Sequence, residues 1–72
     1  MASGSANKYK IRVRGHLGET MRAAFPELRT TIDGADTVLT GLLSDQAAVF
    51  GVLAAIESLG LELLEVRRIA PG

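Results

Sequence analysis

Residues 37–69 read TVLTGLLSDQAAVFGVLAAIESLGLELLEVRRI, and the pattern changes twice within them. Thr37–Leu42 is a β-type run. From Ser44 to Gly60 apolar residues recur at helical spacing, with Val49, Val52, Ile56 and Leu59 on one stripe. Ser44 reads as the N-cap, and Asp45 puts a negative charge in the first turn, where the helix dipole favours it. Gly60 reads as the C′ stop. Leu61–Ile69 returns to a β-type pattern. The stretch is therefore strand–helix–strand. Its helix is apolar nearly all the way round, since only Asp45, Gln46, Glu57 and Ser58 are clearly polar after the cap. A helix in a two-layer domain hides one face against its sheet, and a second apolar face points to another chain.

Toward the N-terminus, Asp33-Gly34-Ala35-Asp36 is a turn, and the Thr-rich run Arg29–Asp33 before it completes a hairpin with Thr37–Leu42. Leu17, Met21, Ala24, Phe25 and Leu28 recur at helical spacing, and Pro26 cuts that helix short because it disfavours the α region at Phe25. Tyr9–Arg14 alternates strictly, with Tyr9, Ile11 and Val13 one way and Lys10, Arg12 and Arg14 the other, which is a half-buried strand. The order is β-α-β-β-α-β. Right-handed crossovers then give an α+β, two-layer ferredoxin-like split βαβ fold. Its four-stranded antiparallel sheet has order 4-1-3-2, with two helices on one face. The expected domain spans residues 8–70, after a small polar leader at residues 1–7.

The alternation assigns Ile11, Val13, Ile32, Leu39, Leu64 and Val66 to the covered sheet face. Gly41 lets the long helix approach closely. The opposite face takes Lys10, Arg12, Arg14, Val38, Thr40, Leu63, Glu65 and Arg67. Antiparallel first and last strands bring Arg12 and Arg14 near Glu65, so the basic row reads as a solvated, internally neutralised surface.

Composition narrows the function classes. Lys+Arg and Asp+Glu are both 8, and the chain has no Cys and one His among 72 residues. Zero net charge and a lack of exposed aromatics argue against a nucleic-acid partner. No apolar run reaches the length of a membrane span. With neither disulfides nor a thiolate metal site, oligomerisation is the remaining device for stabilising so small a domain, and no cofactor or metal is expected. The absence of Cys fits a cytoplasmic setting.

Candidate chemistry is sparse. Gly15, His16, Gly18 and Glu19 form a loop before the first helix, a place where an anion can sit, but no nucleophile accompanies His16 and no catalytic residues are assigned. Asp33 and Asp36 are too few for a calcium loop and read as turn residues. Phe50 lies away from the core stripe and suits an interface anchor.

The motifs Thr37-x-Leu39-x-Gly41, Asp45-Gln46-Ala47, Gly51-Val52-Leu53 and Leu59-Gly60-Leu61-x-Leu63-Leu64-x-Val66, with the opening Tyr9-Lys10-Ile11-Arg12-Val13, resemble a group of short uncharacterised actinobacterial proteins. That pattern often carries His where this chain has Phe50, which speaks against a shared catalytic role there. The order and the Leu-Gly-Leu-x-Leu-Leu-x-Val ending are also distantly similar to ACT-type regulatory domains. This second resemblance implies a small-molecule sensor using the Gly15–Glu19 loop. The favoured reading is a small non-catalytic module that forms a homodimer or binds a protein. Its interface is drawn from Val38, Thr40, Leu63, Glu65 and Arg67 on the free sheet face, and from Phe50 on the helix.

Overall fold

A computed structural model describes residues 7–71, and the side chains of residues 7–69. The expected leader falls almost wholly outside the described residues. The elements are β1 (Asn7–Arg14), α1 (Gly18–Ala24), β2 (Arg29–Asp33), β3 (Asp36–Leu43), α2 (Gln46–Ser58) and β4 (Leu63–Pro71). The antiparallel sheet has order β2-β3-β1-β4, which is the expected order read from the other edge. Side chains from both helices join Ile11, Val13, Leu39 and Leu43 in one core, so both helices cover the same face.

Local chemistry sets the boundaries. Asp45 caps α2, with its Oδ1 accepting from the Ala48 N–H at 2.8 Å. The expected cap, Ser44, lies one residue outside. Asp45 takes the role because its carboxylate both reaches that N–H and carries charge at the positive helix end. The helix ends as the sequence indicated. Gly60 takes φ 75°. Its N–H donates to Glu57 O at 2.9 Å, while the Leu61 N–H donates to Ile56 O at 3.3 Å. These two bonds form a Schellman motif, which needs a left-handed residue at that point. Gly34 takes φ 62° in the β2–β3 turn, the sign a tight hairpin requires at its first central position.

Packing departs from the expected face assignments in four places. Ile32, Leu64 and Val66 do sit on strands at the sheet's two edges, but all three are substantially exposed, because the helices cover chiefly the central strands. Leu59 is also exposed, since α2 stops before the fourth stripe position reaches the sheet. The close approach at Gly41 comes from the α1–β2 loop instead of the long helix. A Cβ there would meet Leu28 Cδ2 at 2.7 Å and the Leu28 Cα at 3.4 Å. Finally, Leu63 does not share a face with Glu65. The β1–β4 register shifts between Arg12↔Glu65 and Val13↔Leu63. This bulge inserts one residue and turns Leu63 toward the helix layer.

Candidate functional site

The Gly15–Glu19 loop is stitched to the β2–β3 hairpin. Thr37, fully buried, donates its hydroxyl to Gly15 O at 2.5 Å and accepts from the Leu17 N–H at 2.8 Å. The Gly15 N–H donates to Ala35 O at 2.9 Å, and His16 Nε2 lies 2.6 Å from Gly34 O. The backbone N–H groups of Gly15 and Leu17 are thus already engaged within the fold. Gly18 begins α1, and Glu19 is exposed in its first turn. The sequence placed these loop residues together but missed Thr37, whose only signal was a Thr at the start of a strand.

The uncovered sheet face is organised by Arg12. Its guanidinium meets Asp33 Oδ2 at 2.8 Å and Asp36 Oδ2 at 2.9 Å, and its Nε lies 4.0 Å from Glu65. Glu65 also meets Arg67 Nε at 3.5 Å, while Arg14 pairs with Glu62 at 3.0 Å. The hydrogen bond that Arg12 donates to Asp33, followed by the one it donates to Asp36, raises its guanidinium above its ordinary value. In return, the hydrogen bond from Arg12 and then its charge lower the Asp33 carboxyl. The sequence foresaw neutralisation near Glu65; the dominant partners are instead the two turn aspartates. Val38, paired with Arg12 and Thr31, is only 6% exposed. The Arg12 stem crosses β3 to reach Asp33 and shields this valine. Thr40 is partly covered as well. Val38 and Leu63 therefore do not form one apolar patch on this face.

Apolar surface also lies along the β4 edge. Leu63 and Val66, paired with the core residues Val13 and Ile11, face the helix layer and are 41 and 37% exposed; Leu64 and Ile69, at the two register shifts, are 38 and 41% exposed, and Phe50 on α2 is 59% exposed. Leu53, Ile56 and Glu57 of α2 line a cleft of about 300 Å³ with Leu61 and Leu63. Phe50, Leu53 and Glu57 are spaced i, i+3, i+7, so Phe50 lies on the same flank of α2 as the two cleft residues. The two surfaces separated in the sequence reading, around Phe50 and around Leu63, are thereby brought to one side of the molecule.

Among the described residues, no group of three or more His, Asp or Glu side chains is placed to hold a metal ion. No helix among them is long and apolar enough to cross a membrane.

The family described as Domain of unknown function (DUF8691) matches residues 8–67, and the chain belongs to that family. No curated protein and no solved structure matches it.

Proposed function

We propose that this member of the family is a small non-catalytic module that works by associating with a protein surface, in the first instance with a second copy of itself. The observation that supports this is the apolar flank formed by α2 and β4. There a long edge strand presents Leu63 and Val66 toward the helix layer, on the side of α2 that carries the exposed Phe50, and Leu64 and Ile69 are exposed along the same strand. Edge strands are usually shortened, charged throughout or covered, because their unpaired backbone groups recruit other chains. Covering half-exposed aliphatic side chains contributes about 25 cal/mol per Å² of apolar area removed from water. The ACT-type sensing alternative gains no support from the loop, whose donors at Gly15 and Leu17 are spent within the fold.

Sedimentation equilibrium across a wide concentration range tests the reading. The expected result is a monomer–dimer equilibrium that Phe50→Lys and Leu63→Lys each weaken. A wild-type chain that stays monomeric at the highest concentration overturns it.

A further inference from the structure

We propose that two copies join edge to edge through β4, antiparallel about a twofold axis at Val66, to make one continuous eight-stranded sheet. This rests on the self-association reading and adds the surface and its register.

β4 is the better of the two edges. β2, at the other end of the sheet, has 5 residues against 9 in β4. Between its two register shifts, β4 pairs regularly with β1 from Glu65 to Arg68. Its outward backbone groups therefore alternate along that run and can accept another strand. A twofold antiparallel pairing uses the same strand in both copies. The alternation of outward groups permits only registers centred on a residue.

Charge selects among these registers. Glu65 and Arg67 flank Val66 on the uncovered sheet face. Centred on Val66, the pairing sets Glu65 opposite Arg67 of the second copy, and Arg67 opposite its Glu65. Two cross-strand ion pairs form, and Val66 meets Val66 on the helix side. Centring on Glu65 sets that carboxylate against itself, and centring on Arg67 does the same for the guanidinium; like charges directly opposite are destabilising. On the helix side, Leu63 shares the cleft with Leu53 and Glu57 of α2, and Phe50 lies on that same flank of the helix.

The test is a charge exchange read by sedimentation equilibrium, with circular dichroism melts to confirm folding. Glu65→Lys alone sets two cations opposite one another in the dimer, and Arg67→Glu alone sets two carboxylates opposite. Each is expected to weaken homodimerisation roughly tenfold or more. Mixed in equal amounts, the two variants are expected to recover dimer, because each then offers the charge the other needs. The double variant carrying both changes in one chain is expected to recover it alone. Wild-type dimer with both single variants unaffected, or weakened singles without recovery in the mixture, overturns this register while leaving self-association standing. A strictly monomeric wild type overturns both.

Discussion

Two threonines next to the same strand pairings behave in opposite ways. The Thr37 hydroxyl bridges Gly15 O and the Leu17 N–H in a fully buried position. Thr37→Val strands both backbone groups and should destabilise the fold by about 1–3 kcal/mol, read from urea denaturation. The Thr30 hydroxyl is buried with no hydrogen-bond partner. Thr30→Val removes a desolvated polar atom at constant shape and should stabilise by up to about 1 kcal/mol in the same measurement. Equal signs for the two substitutions would contradict the bonding described. Asp33 gives a third residue-scale test. Its carboxyl is lowered on folding by Arg12, so its contribution is present above the unfolded value near 3.8 and is lost as pH falls through the lower folded value. Side-chain carboxyl NMR should show Asp33 titrating below 3.8 in the wild type and near it in Arg12→Gln.

At the scale of elements, the short α1 and the loop after it complete the core. Leu28 from that loop is 6% exposed and packs over Gly41 of β3. A side chain at position 41 would press on Leu28, so Gly41→Ala should cost about 1–3 kcal/mol through overpacking. Gly41→Ala combined with Leu28→Ala should recover part of that loss in a double-mutant cycle. An unchanged melting temperature for the single variant would show that the loop yields freely. The helix ends were readable because caps are local: Gly60 needs only its own φ and two bonds from the adjoining turn. The Asp45 cap was displaced by one residue from the sequence reading because Ser44 and Asp45 both have capping side chains. Only the exit angle from β3 decides which one reaches the Ala48 N–H.

For the whole molecule, charge is balanced in number, and three arginines of the uncovered sheet face lie among carboxylates. Lys+Arg and Asp+Glu are 8 each, and Arg12, Arg14 and Arg67 all lie beside carboxylates. Little counterion release is available to a polyanion. Fluorescence anisotropy at physiological salt should show no sequence-selective binding of RNA or DNA; selective binding that persists as salt is raised would contradict this. Four exposed aliphatic side chains, Leu63, Leu64, Val66 and Ile69, lie on the β4 edge strand, while Ile32, Leu42 and Leu59 are exposed singly elsewhere. This asymmetry is a property of the assembled layers, since helices above the central strands leave the outer strands half covered.

The sequence by itself determined the element order, the turn at Asp33–Asp36, the helix stop at Gly60 and, through handed crossovers, the strand order. Each follows from periodicity, local backbone chemistry or chain chirality, all of which act over short stretches. Tertiary structure alone decided which alternating residues are truly covered. One inserted residue at the β4 bulge turned Leu63 to the helix side, and the reach of Arg12 across β3 buried Val38 on a face open to solvent. It also decided the state of the Gly15–Glu19 loop, whose Gly15 and Leu17 N–H groups are taken up by the hairpin turn and Thr37. Partners that lie about twenty residues apart leave no periodic trace, so pairing between them appears only when the strands are side by side.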